Sequence, residues 1–477
     1  MKAPCRHNMP ASSLAQVKTI DVRRGPSRVL EAVSVTLREG EVVAVTGENG
    51  SGKTTLLEAF AGILPLRSGE VIWHEGGDPI VVRDSEGRRN SPPPMGLTLQ
   101  RGGICGDETV SERLAVSLSV AGISPGDGQI LELLSHWGLR HRSNDRVSHL
   151  SGGLRRRLAI LCGLAPAALS KTPRAILLDE PSEGLDESAK ETLRGWIRAL
   201  SHRNHGILMT THDKEISSCA HRVLAIENKM LKESPGVSSG EPSQLPGTGQ
   251  TSQRSTISSL VRWSLRMELR NPIETVGRAT PAIVAILLSY ALMIDYEPQS
   301  HDSRLLAAFV LAPAFIASIS SAALVSRLSE SDCGRWWGAV VGPMARPAFS
   351  ITGASILLPI PVTYLSWLVL SGSVDDQVSS EVMMWLWIPA LAMMDLAIAA
   401  TALHLLVADL SRSSSAPAPL LLVVLVWPFL ELIDALSSII DDGMTWGLSI
   451  HEPLMTCIVA SLICALVWLA AVMIPEY

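Results

Sequence analysis

The chain has 477 residues, a formal net charge of −6 and 47% hydrophobic residues. This length exceeds what one ordinary hydrophobic core organises, so we expect at least two domains. The mildly acidic balance argues against a nucleic-acid-binding surface, and we expect no nucleic-acid partner. The two halves differ strongly, because no lysine follows Lys232 and the second half contains long apolar runs.

A glycine-rich stretch follows the first strand patterns of the chain. Residues 17–22 and 29–37 alternate apolar and polar side chains and predict two strands, and Val42–Val45 predicts a buried strand. The stretch GENGSGKTT occupies 47–55, and a helical pattern runs from Leu56 to Gly62. A strand, a glycine-rich loop with Lys-Thr and a helix, in this order, form the context of a Walker A phosphate loop.

The residue types of this loop suit a nucleoside triphosphate. Glycines allow the backbone amides to point inward at phosphate oxygens, at the N-terminus of a helix. Lys53 is expected to bridge the β- and γ-phosphates, and the Thr54 hydroxyl is expected to bind Mg²⁺. The complete spacing disfavours the alternative, a glycine-rich turn that merely caps a helix. The predicted phosphate-binding residues are Gly47, Asn49, Gly50, Ser51, Gly52, Lys53, Thr54 and Thr55.

Four further motifs follow in a characteristic order. They are Gly96–Gln100, Leu150–Gly153 at the start of an amphipathic helix, the apolar strand Ala175–Glu180 that ends in two carboxylates, and the strand Ile207–Asp213 that ends with a histidine. Each motif alone is a weak signal, since a serine before a helix is also a plain N-cap. Together they resemble the nucleotide-binding domain of an ATP-binding cassette (ABC) transporter, over about residues 15–235.

The resemblance implies a role for each motif, with ATP and Mg²⁺ as cofactors. Asp179 holds Mg²⁺ through water, together with Thr54, and Glu180 acts as the general base on the attacking water. His212 contacts the γ-phosphate and the base. Gln100 senses both Mg²⁺ and the nucleophile. The alternative for Glu180 is a solvated carboxylate at the end of a strand, which its position directly after Asp179 disfavours.

The resemblance also implies a dimer. Ser151, Gly152 and Gly153 are expected to face the γ-phosphate of a nucleotide bound by the opposite subunit, and Asp186 to couple the two sites. Half a transporter in one chain then predicts a homodimer with two-fold symmetry.

Two positions depart from the family pattern. Members usually stack an aromatic residue on adenine, and the corresponding position here falls at or near Arg24. An arginine plane is able to stack on a base through a cation–π contact, so ATP remains the expected nucleotide. Leu154 replaces the usual glutamine after the Leu150–Gly153 motif.

A polar segment separates the two predicted domains, which span 1–235 and 257–477. Residues 236–256 are rich in Ser, Gly, Pro and Gln, which predicts a flexible linker. Ile257–Asn271 then reads as an amphipathic helix with three arginines spaced four apart, typical of a helix at a membrane surface. An ordinary amphipathic surface helix is the alternative.

Six apolar segments predict transmembrane helices and a lipid bilayer as partner. They span roughly 279–294, 305–326, 348–371, 382–408, 416–433 and 453–474. The fold class is therefore an α/β P-loop NTPase (ABC ATPase) domain followed by an all-α six-span transmembrane domain. A soluble helical bundle is the alternative for this second half.

The distribution of charge orients the predicted spans. The segment before span one and the loops between spans two and three and between spans four and five carry Arg262, Arg266, Arg270, Arg278, Arg327, Arg335, Arg346 and Arg412. The other loops carry nine acidic residues, among them Asp434, and one basic residue, Arg304. The positive-inside rule then predicts a multi-pass protein of the cytoplasmic membrane, with the ATPase domain and the C-terminus in the cytoplasm.

The loop between spans two and three is the expected link between the two halves. Ser326–Asp332 is predicted to dock on the ATPase domain near Gln100 and to transmit its closure to the spans. Trp336 and Trp337, which follow, are predicted as anchors at the membrane interface.

The membrane half resembles the type-2 exporter class of ABC permeases. The predicted function is therefore ATP-driven export of an unidentified substrate by a dimer. A diffuse resemblance to haem exporters of cytochrome c biogenesis leaves haem export as an alternative, with His301, His404 and His451 as candidate ligands. ATP-driven mechanical signalling without cargo is a further alternative.

Overall fold

The computed structural model describes residues 12–252, 256–270, 272–295, 303–320, 327–328, 330–342, 429–438 and 451–473, with scattered residues between 352 and 426. Their contacts divide the chain into two compact units. The first unit contains the described residues of Met1–Leu260 and of Leu328–Pro347, and the second those of Val261–Arg327 and Ala348–Ile474.

The strands of the first unit form one central sheet, one antiparallel sheet and one short pair. In chain order they are β1 (Ser13–Arg24), β2 (Ser27–Arg38), β3 (Val42–Thr46), β4 (Ser68–Glu75), β5 (Asp78–Asp84), β6 (Gly96–Thr98), β7 (Ile123–Ser124), β8 (Ala175–Asp179), β9 (Gly206–Thr210), β10 (Arg222–Glu227), β11 (Met230–Pro235) and β12 (Gln250–Thr251).

The central sheet has six strands in the order β11-β10-β3-β9-β8-β6. From β10 to β6 all neighbours pair in parallel, and the residues of β8 and β9 are all buried. This explains their continuous apolar sequences, since strands covered on both faces need no polar alternation. The predicted strand at Val42–Val45 is confirmed as β3, and a helix, Lys53–Phe60, follows it after the loop.

The antiparallel sheet has the order β2-β1-β4-β5. It contains the two strands that the alternation at 17–22 and 29–37 predicts. Its β1–β2 hairpin ends at Arg24 and Ser27, so Arg24 stands at the tip of a hairpin beside the phosphate loop.

The helices of the first unit pack around these sheets. They are α1 (Lys53–Phe60), α2 (Val110–Val120), α3 (Gln129–His136), α4 (Gly152–Ala168), α5 (Glu187–His202) and α6 (Lys214–Ser217), with short 3₁₀ turns at Arg140–Arg142 and Val147–His149. A capping box between Thr109 and Glu112 starts α2, and the Ser151 hydroxyl caps α4 by accepting from the Leu154 amide.

The segment after β11 is held along the first unit, whereas its composition predicts a flexible linker. The Ser239, Ser243, Gly249 and Ser252 amides donate to carbonyls of four separate loops and helices, and β12 pairs with β7. Gly195 of α5 permits this close approach, because a Cβ there would collide with Ser243. Composition cannot reveal such contacts, since they use backbone amides and small side chains.

The second unit is helical in the part of the chain that the structure describes. Its helices include α7 (Thr256–Leu269, which begins in the first unit), α8 (Pro272–Asp295), α9 (Ser303–Ser320) and the helix His451–Met473. Within the described ranges, we find no helix with both the length and the apolarity that crossing a bilayer requires. Predicted spans three to five lie largely outside the described residues.

A buried histidine yields a test of this fold. His205 precedes β9, and its Nδ1 accepts a hydrogen bond from the Arg174 amide, at 3.0 Å, just before β8. Burial, reinforced by the nearby Arg174 and Arg203, lowers the pKa of His205 to about 4. Because an unfolded histidine titrates near 6.5, the unfolded chain binds the extra proton between pH 6.5 and pH 4. His205 by itself should therefore lower the free energy of unfolding by about 1.4 kcal/mol per pH unit as the pH drops through this window.

Thermal unfolding midpoints measured from pH 7 to pH 4 check this prediction. His205→Asn cannot take up the proton and should show a shallower decrease than the wild type. The exposed neighbour His202 provides the control, since His202→Asn should keep the wild-type slope. Equal slopes for His205→Asn and wild type would contradict the assignment.

Candidate nucleotide-binding site

The phosphate loop turns sharply between β3 and α1. Gly52 has φ 109° and precedes the first residue of α1. A Cβ on Gly52 would lie 2.8 Å from Val29 Cγ1, so a larger residue requires the Val29 side chain to move and adopts an unfavourable φ. The Lys53 ammonium donates to the carbonyls of Gly47, at 2.9 Å, and Glu48, at 3.1 Å. The loop therefore curls around its own lysine at the N-terminus of a helix, an arrangement suited to phosphate.

A buried carboxylate stands at the end of β8, next to this loop. Asp179 is fully buried, and its Oδ1 accepts from the hydroxyls of Thr54, at 3.2 Å, and Thr210, at 2.5 Å. Burial raises the pKa of Asp179, and these hydrogen bonds partly offset the effect. Within the described residues its Oδ2 has no hydrogen-bond partner. A hydroxyl and a carboxylate with an open oxygen are the donor set that Mg²⁺ prefers, so the residues present fit this cofactor.

The next residue, Glu180, is held in an unusual backbone conformation. Its φ of 44° lies in the left-handed region, which costs energy for a residue with a side chain. The Glu180 amide donates to Thr210 Oγ1 at 2.9 Å, and its Oε2 lies 2.9 Å from His212 Nδ1. Its other oxygen is 4.0 Å from Lys53 Nζ. The structure therefore brings Lys53, Glu180 and His212 together at one edge of the sheet, as the motifs predict.

Arg156 joins several parts of the site, and the sequence analysis gave it no role. Its guanidinium donates to the carbonyls of Asp179, at 2.7 Å, and Glu180, at 2.6 Å. It also donates to the carbonyls of Leu99 and Gln100, at 3.1 and 2.8 Å. Burial lowers the pKa of Arg156, and neighbouring carboxylates oppose this. The sequence did carry a signal, the run Arg155–Arg157 directly after the Leu150–Gly153 motif. An arginine that is partly buried in a helix needs several hydrogen-bond acceptors, so such a run indicates contacts with neighbouring segments.

Several further predicted residues are exposed at the surface, whereas Thr55 is buried in α1. Asn49 and Gly50 are exposed at the tip of the phosphate loop, and Gln100 is exposed while its carbonyl holds Arg156. Ser151 and Gly152 are also exposed, with open space in front of Gly152. Asp186 accepts two hydrogen bonds from Arg157, at 2.5 and 2.7 Å, and this contact lowers its pKa.

Arg24 is tied to α1 by two of its nitrogens. Its Nε donates to Thr55 Oγ1 at 3.2 Å, and its Nη2 pairs with Glu58 Oε2. The Arg24 side chain remains 47% exposed, whereas Glu58 is 3% exposed. The guanidinium therefore lies beside the phosphate loop and is accessible to a ligand.

The segment 330–342, which we call the docking segment, packs on the rest of the first unit, at the residues that follow Gln100 in sequence. The Gly103 amide donates to the Ser331 carbonyl at 2.9 Å, and the Gly106 amide donates to Glu330 Oε2 at 3.2 Å. The predicted docking of Ser326–Asp332 near Gln100 is confirmed for these two residues. A helix, Cys333–Val341, follows.

The two tryptophans of this helix are buried in the first unit. Trp336 donates from Nε1 to the Leu97 carbonyl at 3.3 Å, and the Arg113 guanidinium lies 3.9 Å from its ring centroid. Trp336 is 4% exposed and Trp337 is fully buried. Their predicted role as anchors at a membrane interface is therefore wrong. Tryptophan suits both settings because it combines a large apolar ring with one donor, so composition alone did not distinguish them.

Comparisons with known proteins agree with this geometry. Residues 30–183 match the ABC transporter family. The macrolide export ATP-binding/permease protein MacB of Azoarcus sp. (strain BH72) is 30% identical over 273 residues, which cover 56% of this chain and 40% of that protein. The probable sulfate/thiosulfate import ATP-binding protein CysA of Chlorella vulgaris is 32% identical over 218 residues, which cover 44% of this chain and 86% of that protein. A solved ATP-binding subunit of an ABC transporter is 22% identical with a TM-score of 0.41, and the match covers 46% of this chain and 90% of that one.

The first unit thus has the fold and site of an ABC ATP-binding domain, which uses ATP and Mg²⁺. The chain belongs to the ABC transporter family. It spans only 40% of the length of the MacB relative.

The phosphate loop offers a matched pair of substitutions. Gly50 and Gly52 both have positive φ, but a Cβ on Gly50 meets open space whereas one on Gly52 meets Val29 and Leu30. Gly50→Ala should therefore suffer only backbone strain, about 1–2 kcal/mol. Gly52→Ala adds a steric clash and should weaken ATP binding more than Gly50→Ala does. Equilibrium ATP binding without Mg²⁺ measures both, and equal losses would contradict the loop geometry.

Proposed function

We propose that two copies of this chain hydrolyse ATP together and use the closure of their dimer to export a substrate through a membrane-embedded C-terminal half. The observation that carries the proposal is the cluster of Lys53, Thr54, Asp179, Glu180 and His212 at the carboxyl ends of β8 and β9, directly beside the phosphate loop.

The roles of these residues follow from their contacts. Lys53 and the loop amides would bind the phosphates, and Thr54 and Asp179 would hold Mg²⁺, which would supply positive charge to the bound triphosphate. Glu180 is the acceptor for the proton of the attacking water. His212 orients Glu180 through the 2.9 Å contact with Oε2. Arg156 fixes the backbone of Asp179 and Glu180 and thereby the direction of both carboxylates.

The surface position of the Leu150–Gly153 motif supports a composite site. Ser151 and Gly152 point their exposed helix N-terminus at open space, and such a terminus binds anions. In a two-fold dimer this cap would complete the site of the partner by facing its γ-phosphate.

Several observations favour a membrane location for the second half. The helices α8 and His451–Met473 expose many large apolar side chains: Ile283, Val284, Leu287, Leu288, Leu292, Met455, Ile458, Val459, Leu462, Leu466 and Leu469. A surface this apolar needs a lipid or protein cover. Arg304 pairs with Asp434 at 2.8 Å, and charge had assigned both residues to the same, outer side. The position of Arg335 beside Glu58 agrees with a cytoplasmic assignment of its loop.

The direction of transport rests on the membrane half and on one relative. The type-2 exporter layout of the apolar segments and the printed name of the MacB relative, a macrolide export ATP-binding/permease protein, support export.

The general base is tested by a conservative substitution. Glu180→Gln keeps the shape of the side chain but removes the proton acceptor, so ATP hydrolysis should fall by about 10²–10⁴-fold while ATP binding is retained. Glu191→Gln makes the same change at an exposed position on α5 and should leave turnover unchanged. Phosphate release by the purified protein measures both variants, and near-normal turnover by Glu180→Gln would refute the assigned base.

The composite site is tested by mixing two inactive variants. Lys53→Ala destroys the phosphate loop of a subunit, and Ser151→Arg blocks its helix cap. A mixed dimer then contains one intact composite site, so coexpression should restore turnover, up to about a quarter of the wild-type rate if subunits pair at random. Each variant expressed alone provides the control. Sites built within single subunits predict no restoration.

A further inference from the structure

Glu58 is shared by two arginines that come from distant parts of the chain. Its carboxylate is 3% exposed, and each oxygen has its own cation. Oε2 pairs with Arg24 Nη2, and Oε1 lies 2.8 Å from Arg335 Nη1. One buried negative charge therefore faces two positive charges. The two cations repel each other, so each of them reduces the net attraction of the other to the carboxylate.

The first arginine lies beside the phosphate loop, because Thr55 is the third residue of α1 and directly follows Lys53 and Thr54. Arg24 donates to Thr55 Oγ1 and is 47% exposed. Its guanidinium is thus placed to contact a phosphate bound at the loop, and Glu58 would compete with that phosphate for it.

The second arginine belongs to the docking segment. Arg335 is the third residue of the helix Cys333–Val341. The segment has further contacts with the first unit that do not involve Glu58, such as the 3.2 Å hydrogen bond from Arg89 Nη2 to the Gly338 carbonyl. Loss of the Arg335 pair therefore changes one charge contact without removing every contact of the segment.

The geometry points to Glu58 as a positioning residue through which nucleotide binding and docking of the segment 330–342 favour each other. With Arg335 paired to Glu58, Arg24 is held less strongly and turns more readily toward the phosphates, so the nucleotide binds more tightly. When a nucleotide draws Arg24 away, the whole charge of Glu58 acts on Arg335 and the segment docks more firmly. Linkage requires the two effects to be equal in size. The inference rests on the proposed function only in requiring that the site binds ATP.

The burial of Glu58 makes its charge depend on these partners. Burial raises its pKa, whereas Arg335 and Arg24 lower it. With either arginine removed, the remaining arginine has to stabilise the carboxylate alone, so Glu58 binds that arginine more strongly.

A double-mutant cycle on the full-length protein tests the inference. ATP binding is measured by calorimetry without Mg²⁺, so that no hydrolysis occurs, for wild type, Arg335→Ala, Glu58→Gln and the double variant. Arg335→Ala should raise the Kd for ATP about fivefold, the lower end of ordinary coupling between sites. In the Glu58→Gln background the same substitution should change Kd less than twofold. Arg335→Lys, which keeps the charge, should restore part of the lost affinity.

Arg89→Ala is the matched control, because it removes a contact of the same segment that does not involve Glu58. Its effect on Kd should be the same in the wild-type and Glu58→Gln backgrounds. Equal shifts by Arg335→Ala in both backgrounds, or no shift in either, would overturn the inference. Wild-type protein that binds no ATP would instead overturn the proposed function.

Discussion

A fully buried carboxylate at the end of a central strand constrains much of the N-terminal unit. Burying Asp179 is unfavourable unless its charge is compensated, and the Thr54 and Thr210 hydroxyls compensate only one of its oxygens. The other oxygen is open at the place where the phosphate loop ends. A cation that accompanies a triphosphate would compensate the negative charge of Asp179. The buried carboxylate, which is unfavourable by itself, therefore favours binding of the cation and the nucleotide.

The site is assembled from elements that are far apart in sequence and share one sheet edge. Parallel pairing brings the ends of β3, β8 and β9 together, which places the phosphate loop, the two carboxylates and His212 within contact distance. Arg156 adds a fourth element by tying α4 to the loop at Leu99 and Gln100. The docking segment packs on the next few residues of that loop. The Arg156 guanidinium therefore connects this loop directly to the backbone of Asp179 and Glu180.

The sequence predicted this edge well because its motifs are defined by local chemistry. The role of each motif can be inferred from residues that are adjacent in sequence. This holds for the glycines with positive φ, for the lysine and threonine at a helix start, and for the carboxylates after an apolar strand. Arg156, Glu58 and the contacts of residues 236–252 were missed for the opposite reason, since their partners lie 15 to 277 positions away and short-range patterns do not encode them. Trp336 and Trp337 were misplaced because one residue type suits both a protein groove and a membrane interface. The six predicted spans stay a prediction.

Backbone hydrogen exchange reports whether nucleotide binding at the phosphate loop acts on the docking segment. The measurement compares the full-length Glu180→Gln variant with and without ATP and Mg²⁺. The account predicts slower exchange at residues 47–55 and, together with it, slower exchange at the amides of 330–342. Slower exchange at the loop with unchanged exchange across 330–342 would contradict it.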